Sequence, residues 1–299
     1  MKTEKLHADE VDTSVSLVID LLSEQYPQWG SLPVRPVGTS GTDNKLFRLG
    51  TDLVVRLPRI EGADGQIFKD QRWLPEFAPR LPVLIPEQVA IGQPTDSYPF
   101  NWSVYKWIGG EAADIDSLTD SDQTAEELAR FIKSLRSIDP SDGPADGYRG
   151  KPIRLRDGWT RESINGVKDL IDPKVALSFW DKTIEAADWS GPPTWFHGDL
   201  MPGNILLEDG KLKAIIDFGV LGVGDPAVDL IVAWFLLPIR SRPVFRAAMG
   251  VSEDEWLRGR GWALSIAAGY IPYYKHTTLP GVAYCKRALR ELMEEASND

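Results

Sequence analysis

The chain has 299 residues, of which 42% are hydrophobic and 26% charged, a composition typical of a globular protein. Its formal net charge of −11 disfavours nucleic acid as the main partner, because an acidic surface repels the phosphate backbone. The single cysteine, Cys285, excludes an internal disulfide.

The first 108 residues carry the pattern of a small antiparallel sheet with one inserted helix. In chain order we expect a helix at 13–24, three strands around a polar glycine loop within 34–59, a helix at 65–78, and strands within 82–92 and 101–108. The pair Gly109-Gly110 then breaks the pattern, so we expect a first domain at 1–108 and a second at 109–299.

The second domain is predicted to be mainly helical. Apolar residues recur on one face at 122–138, 253–270 and 282–296. The apolar run 230–239 is too short to span a bilayer and is interpreted as a buried helix. Because residues 1–12 also lack the apolar core of a secretory signal, we expect a soluble cytoplasmic protein with no membrane partner. The fold class is α+β, with two lobes around a cleft.

The segment 204–219, NILLEDGKLKAIIDFG, contains two apolar runs joined by Asp-Gly, a strong signal for a β-hairpin. A hairpin brings Asp199 and Asn204, which precede it, close to Asp217, which follows it. Two carboxylates and an amide oxygen are ligands that suit Mg²⁺. The sequence therefore predicts a magnesium site at the base of this hairpin.

Two short motifs carry a resemblance to a known family. HGDLMPGN at 197–204 has the spacing of a kinase catalytic loop, and IDFG at 216–219 matches the metal-binding Asp-Phe-Gly. With GDPAVDL, DNKLFRLGTDLVVRLPR and WSVYKWIGGE, these motifs closely resemble the aminoglycoside phosphotransferase family over most of the chain. The resemblance implies a bilobal protein-kinase-like fold. It also implies Mg²⁺-dependent transfer of the γ-phosphate of ATP or GTP to a hydroxyl of a small molecule. The sequence leaves both a monomer and a dimer open.

The resemblance also implies roles for individual residues. Asp199 would be the catalytic base, and Asn204 and Asp217 would hold Mg²⁺ against the nucleotide phosphates. His197 would brace the catalytic loop without taking part in the chemistry. The remaining acids of this region, Asp225 and Asp229, would cap a helix and anchor the loop.

Kinases also use a lysine on the third strand to bind phosphate. The matching position in DLVVRLP is Arg56, which offers a planar fork of donors in place of a point charge. Its partner acid is expected in the helix KDQRWLP, at Asp70. The short aspartate side chain has further to reach than a glutamate.

The rest of the nucleotide site is less specific in sequence. Ser40 and Gly41, in the loop at 37–44, could approach phosphate, although this loop also fits an ordinary hairpin turn. The hinge is expected at 105–110, with Tyr105 at the back of the pocket and the backbone of Lys106 and Ile108 facing the base. Backbone recognition leaves the choice between ATP and GTP open.

A small-molecule substrate is expected because the features of a protein kinase are missing. Gly198 stands where protein kinases have an arginine. Only Val220 to Gly224 separate Asp-Phe-Gly from Asp225-Pro226, so no long activation segment fits.

The acceptor itself is left between several classes. Residues 109–146 contain ten acids and three bases, an excess that would attract a cationic aminoglycoside, although each acid also fits a solvated helix face. Aromatic residues in the C-terminal helices leave a macrolide possible. Metabolites of the homoserine, choline or sugar type also remain, as does a non-catalytic kinase-like binding module suggested by Arg56.

Overall fold

The computed structural model describes residues 10–38, 43–145, 149–277 and 279–297. The chain divides into two compact units. The first comprises residues 1–79 and 84–109, and the second comprises 80–83 and 110–299. The first unit holds a mixed sheet-and-helix structure and the second is mainly helical, so the predicted α+β class is confirmed.

The first unit is built on a five-stranded antiparallel sheet in the order β1-β2-β3-β5-β4. Its strands are β1 Val34–Pro36, β2 Asn44–Leu49, β3 Leu53–Pro58, β4 Gln88–Gly92 and β5 Trp102–Lys106. Helix α1, Val15–Gln25, buries Val18, Leu21 and Leu22 in one apolar cluster with Phe47 and Trp102 of the sheet. Burial of large side chains of this kind stabilises the unit, since each contributes about 1.5–3 kcal/mol.

Helix α2, Gln66–Phe77, is the helix that the sequence predicts after the third strand. It buries Ile67, Trp73, Leu74 and Phe77, which fall on one face at helical spacing. Asp70 lies on the same buried face. A carboxylate in such a position needs partners to offset its loss of hydration.

The second unit is mainly helical. Its helices are α3 Ser121–Arg136, α4 Asp157–Gly166, α5 Pro173–Glu185, α6 Val232–Phe235, α7 Arg242–Met249, α8 Glu253–Tyr274 and α9 Pro280–Ala296. Helix α8 is the central one, and most of its residues are buried. Glycine at 259 allows this burial, because a Cβ there would lie 2.6 Å from the Cβ of Leu230.

Short strands complete the second unit and carry the candidate site. They are β6 Glu111–Ala112, β7 Thr194–Phe196, β8 Ile205–Glu208, β9 Lys211–Ile215 and β10 Gly222–Gly224. Strands β6, β8 and β9 form one antiparallel sheet, and β7 pairs with β10. The expected hairpin is confirmed as β8–β9. Its turn residues Asp209 and Gly210 have φ angles of 51° and 72°, as a two-residue turn between twisted strands requires.

One expectation about a single element was wrong. The run 230–239 is buried as far as Leu237, and Ile239 at its end is exposed. It is not one helix, because a 3₁₀ turn at Pro226–Ile231 leads into the single turn of α6. The strand expected within 82–92 is confirmed, and it occupies Gln88–Gly92. Pro82 and Pro86 lack the backbone N–H that a ladder needs, which accounts for the late start. None of the helices in the described ranges is long and apolar enough to cross a membrane.

Candidate active site

A buried carboxylate holds the start of the catalytic loop. The two oxygens of Asp229 accept hydrogen bonds from the backbone N–H groups of His197, at 2.9 Å, and Gly198, at 2.7 Å. Burial raises the pKa of Asp229 to about 6, and these two hydrogen bonds act against that rise. The predicted anchoring role of Asp229 is thus confirmed. Asp225 also fulfils its predicted role, since it caps the following 3₁₀ turn by accepting from Ala227 N.

The His197 ring joins the catalytic loop to the hairpin. Its Nδ1 accepts the Asp199 N–H at 3.2 Å, and its Nε2 lies 3.1 Å from the carbonyl oxygen of Ile216. This pattern requires the neutral tautomer with hydrogen on Nε2. Burial lowers the pKa of His197 to about 4, so the ring stays neutral at physiological pH. The ring braces the loop, as its sequence position predicts.

Gly198 has a structural reason to be a glycine. Its φ angle is +83°, in the left-handed region that residues with a side chain rarely adopt. A Cβ would also lie 3.1 Å from both the carbonyl oxygen and Cγ2 of Val220. The arginine that protein kinases carry at this position does not fit this backbone.

Asp199 and Asn204 are joined directly. The amide nitrogen Nδ2 of Asn204 donates to the backbone oxygen of Asp199 at 2.9 Å and to its Oδ2 at 2.8 Å. Because Nδ2 is the donor, the amide oxygen of Asn204 remains as an acceptor for another partner. The Asp199 side chain is 31% exposed, so its carboxylate is accessible to a ligand.

Asp217 lies two residues after the end of the second strand of the hairpin, directly after Ile216. The N–H of Ile216 donates to the carbonyl oxygen of Asn204 at 2.9 Å. Asp217 itself has a φ angle of 62°, a left-handed conformation that is uncommon outside glycine and is often found at functional sites. The structure therefore joins Asn204 directly to Asp199 and places Asp217 next in the chain to Ile216, which is bonded to Asn204. Oxygen atoms of these three residue types suit a hard cation such as Mg²⁺.

The first unit contains the predicted pair of Arg56 and Asp70. Arg56 Nη1 lies 3.0 Å from Asp70 Oδ2, and both side chains are buried. Arg56 Nη2 donates to Gln66 Oε1 at 2.6 Å, and the hydroxyl of Tyr105 donates to Asp70 Oδ2 at 2.7 Å. Kinases pair a lysine with a glutamate at these positions. Here the longer arginine side chain compensates for the shorter aspartate, so the two side chains still meet. Burial, together with the Asp70 charge, raises the pKa of Tyr105, so its hydroxyl remains a donor.

The remaining predicted nucleotide contacts are only partly described. Ser40 and Gly41 lie outside the described residues. The N–H of Lys106 already donates to the carbonyl oxygen of Glu87 at 2.9 Å, which leaves only its carbonyl for a base. Ile108 follows strand β5 and is half-buried. The next aromatic residue, Trp107, lies under the guanidinium of Arg48 at 4.1 Å.

Several acids in the segment 109–146 serve the backbone. Asp114, Asp120 and Asp139 each accept an N–H two residues further along the chain. Such capping explains an acid at a helix or turn start without any ligand. These three side chains therefore have a structural role. For this reason the ten acids of the segment are a weaker argument for a cationic substrate than their number indicates.

One residue near Asp199 carried no sequence signal. Arg149 Nη2 lies 3.9 Å from Asp199 Oδ1, an ion-pair distance. It lies far ahead of the catalytic loop in the chain and belongs to none of the motifs. Only the folded chain shows that it neighbours the loop.

Comparison with known proteins establishes the family. The sequence profile of the phosphotransferase enzyme family matches residues 34–262, and the chain belongs to this family. An aminoglycoside 3'-phosphotransferase of Escherichia coli is 28% identical over 171 residues, which cover 54% of this chain and 59% of that protein. The chain spans about half the length of the curated relatives it matches.

Solved structures show the fold. The GDP complex of wild-type aminoglycoside 2'-phosphotransferase-IIIa aligns with a TM-score of 0.70 at 20% identity, covering 96% of this chain and 99% of that one. A macrolide 2'-phosphotransferase from Brachybacterium faecium aligns with a TM-score of 0.60 at 22% identity, covering 92% and 98%. The protein-kinase-like fold expected from the sequence is thus confirmed.

The burial of His197 predicts a pH-dependent stability. Between its folded pKa of about 4 and the usual value of 6.5, the unfolded chain binds more protons than the folded one. The contribution of His197 to the free energy of unfolding therefore falls as the pH is lowered through this range, by about 2 kcal/mol from pH 7 to pH 5. Asp229 contributes a slope of the opposite sign, because its folded pKa is raised. The free energy of unfolding is measured with urea at pH 7, 6 and 5 for the wild type and for His197→Asn. Between pH 7 and pH 5 its decline should be about 2 kcal/mol smaller in His197→Asn than in the wild type. Equal declines would mean that folding does not lower the pKa of His197.

The Arg56–Asp70 pair predicts coupling between the two positions. Each of Arg56→Lys and Asp70→Glu should lower the free energy of unfolding by roughly 1–3 kcal/mol, because each disturbs a buried charge pair. The double variant restores the combined length, so its loss should be smaller than the sum by about 1 kcal/mol. Arg72→Lys, in an exposed pair with Glu76, is the control and should change stability by less than about 0.5 kcal/mol. Strictly additive losses would contradict a direct contact.

Proposed function

We propose that this protein transfers the γ-phosphate of ATP or GTP to a hydroxyl group of a small molecule. The observation that carries the proposal is the arrangement of Asp199, Asn204 and Asp217 around one hairpin. Membership of the phosphotransferase enzyme family supports the same reaction. Cytoplasmic nucleotide would be the co-substrate, which agrees with a chain whose one cysteine, Cys285, is a buried free thiol.

The chemistry assigned to Asp199 is that of a general base. The acceptor oxygen attacks the γ-phosphorus, the bond to the bridging oxygen breaks, and the nucleoside diphosphate leaves with the electron pair. The hydroxyl proton passes to the Asp199 carboxylate. Phosphoryl transfer needs positioning and charge neutralisation more than covalent help, so one oriented carboxylate suffices. The hydrogen bond from Asn204 Nδ2 provides that orientation.

Mg²⁺ would be held by the amide oxygen of Asn204 and the carboxylate of Asp217. When bound, it would neutralise charge on the nucleotide phosphates. In the first unit we assign phosphate binding to Arg56, which Asp70 and Gln66 orient and Tyr105 supports through Asp70. The carbonyl of Lys106 and the backbone of Ile108 are the proposed contacts of the base.

For the acceptor we propose an aminoglycoside. The net charge of −11 favours a cationic ligand, and relatives and similar structures include aminoglycoside phosphotransferases. A macrolide is the second candidate, because aromatic side chains are exposed on α4 and α8: Trp159 is 43% exposed and Tyr273 is 63% exposed. The two classes are separable by ionic strength, since salt screens the attraction of a polycation and hardly affects an apolar ligand.

The reaction is tested by mass spectrometry. The protein is incubated with Mg²⁺ and either ATP or GTP against aminoglycosides, macrolides and small metabolic alcohols. A gain of one phosphoryl group on one compound is expected. Asp199→Asn should lower kcat by about 10²- to 10⁴-fold and leave nucleotide affinity within about threefold, because it removes only the proton acceptor.

The matched control for the base is Asp188→Asn, which alters an exposed ion pair with Arg154. It should retain wild-type kcat. Wild-type turnover in Asp199→Asn would refute the assignment of the base. Nucleotide binding by the wild-type protein without transfer to any acceptor would favour the non-catalytic binding module.

Removal of the metal tests Asp217. Mg²⁺ should strengthen nucleotide binding to the wild-type protein, and EDTA should abolish the gain. In Asp217→Asn, this Mg²⁺-dependent gain in nucleotide affinity should fall by at least about 10- to 100-fold. Loss of a residue that only supports a metal ligand has an effect of this size, and loss of a ligand should cost no less. Asparagine tolerates the left-handed φ of 62°, so the backbone is preserved. Asp209→Asn, at the turn of the same hairpin, is the control, and an equal effect in both variants would contradict the metal assignment.

A further inference from the structure

The guanidinium of Arg149 is held beside Asp199 without a hydrogen bond to it. The distance from Arg149 Nη2 to Asp199 Oδ1 is 3.9 Å, beyond the range of a hydrogen bond. The Arg149 side chain is only 16% exposed. Its Nη1 is buried and has no hydrogen-bond partner within the part of the chain that the structure describes. A buried donor without an acceptor costs about 1–3 kcal/mol, and more on a charged group, so an acceptor that reaches Nη1 would relieve this cost.

The backbone around Arg149 is fixed to the segment that follows Asp217. The carbonyl of Gly150, the next residue, accepts the Asp225 N–H at 2.9 Å. The two segments approach this closely because each has a glycine at the contact, Gly150 in one and Gly224 in the other. A Cβ on Gly150 would lie 2.4 Å from the Phe196 ring, and a Cβ on Gly224 would lie 2.3 Å from the carbonyl oxygen of Gly150. The residue after Arg149 is therefore packed against strands β7 and β10, and β7 leads directly into the catalytic loop.

The catalytic loop itself supplies no positive charge. Its sequence at 197–204, HGDLMPGN, contains neither lysine nor arginine. The position of the kinase arginine is occupied by Gly198, whose left-handed φ and contact with Val220 exclude a side chain. Negative charge on a phosphoryl group in transit is stabilised by donors that are already in place. The second unit needs such a donor, and Arg149 is the guanidinium found beside the base.

We propose that Arg149 is a catalytic residue that binds the oxygens of the phosphoryl group in transit. This inference rests on the proposed phosphotransferase function. Arg149 forms and breaks no covalent bond. Its Nη1 and Nη2 donate hydrogen bonds to phosphoryl oxygens while the hydroxyl proton passes to Asp199. Before nucleotide binds, the Asp199 carboxylate is its counterion, which keeps the guanidinium close to the reacting atoms.

Two other roles are possible for a guanidinium here, and kinetics separates them. If Arg149 only neutralises Asp199, its loss should change stability and leave kcat nearly unchanged. If Arg149 recognises an anionic group on the acceptor, its loss should raise the KM for the acceptor and leave kcat unchanged. Contact with the phosphoryl group requires a loss in kcat, because the interaction is strongest in the transition state.

The first experiment compares Arg149→Gln and Arg149→Lys with Arg154→Gln. Arg154 is an exposed arginine nearby in the chain, paired with Asp188, and serves as the control. Arg149→Gln should lower kcat by about 10²- to 10³-fold, and the affinity for Mg²⁺-nucleotide should change less than about threefold. Arg149→Lys should recover part of the loss, since it keeps the charge and lacks the planar fork. A kcat for Arg149→Gln within about threefold of wild type overturns the proposal.

A second experiment needs no acceptor. Binding of nucleoside diphosphate and Mg²⁺ is measured by calorimetry with and without aluminium fluoride, which imitates the phosphoryl group. The wild type should bind more tightly with aluminium fluoride. Arg149→Gln should lose at least about tenfold of this gain, and its affinity for the diphosphate alone should stay within about twofold. If thermal melting shows that Arg149→Gln is unfolded, Arg149→Lys is used in its place. Arg149→Lys should lose about three- to tenfold of the gain in affinity with aluminium fluoride.

The two experiments distinguish failure of Arg149 from failure of the proposed function. If the wild type phosphorylates no acceptor but the aluminium fluoride gain is present and depends on Arg149, the transfer reaction is refuted and the phosphoryl contact stands. If the wild type transfers phosphate and Arg149→Gln equals it in both experiments, the role of Arg149 is refuted and the function stands. If the wild type shows neither transfer nor an aluminium fluoride gain, both are refuted.

Discussion

The candidate site depends on one buried carboxylate, Asp229, which accepts the backbone N–H groups of His197 and Gly198. Those two hydrogen bonds fix the chain direction just before Asp199. One of them binds the N–H of Gly198, which has a left-handed φ of +83°. Two further contacts position Asp199. His197 Nδ1 accepts a hydrogen bond from the backbone N–H of Asp199, and Asn204 donates one to the Asp199 side chain. Because Asp229 is fully buried, its charge is tolerated only while both donors are in place.

Positive charge comes from unusual residues in both units. In the first unit, a long arginine and a short aspartate, Arg56 and Asp70, stand where kinases pair a lysine with a longer acid. In the second unit, the loop position that holds an arginine in protein kinases is Gly198, and Arg149 lies near Asp199 from a distant part of the chain. Under the proposed function, both arginines would supply positive charge for the phosphates.

Local patterns predicted the fold where structure is decided by near neighbours. The Asp209-Gly210 turn and the helices α1 and α2 each follow from spacing or turn chemistry within a few residues. Prediction failed where distant contacts decide. The pairing of β7 with β10 and of β6 with β8 joins segments far apart in sequence, and no local signal marks either edge. The run 230–239 is apolar on all sides, so its periodicity does not distinguish one long helix from a 3₁₀ turn followed by a single α-helical turn.

The sequence by itself determined the family resemblance and the residues of the hairpin site, because Asp199, Asn204 and Asp217 are recognisable from spacing along one short segment. It also paired Arg56 with the correct helix. Only the tertiary structure decided that Asp114, Asp120 and Asp139 cap backbone donors, and that the N–H of Lys106 is already bonded to the Glu87 carbonyl. Only the tertiary structure placed Arg149 beside Asp199. The physical reason is that a capping bond or a charge contact depends on where the backbone of a second segment lies, and residue types alone do not contain that information.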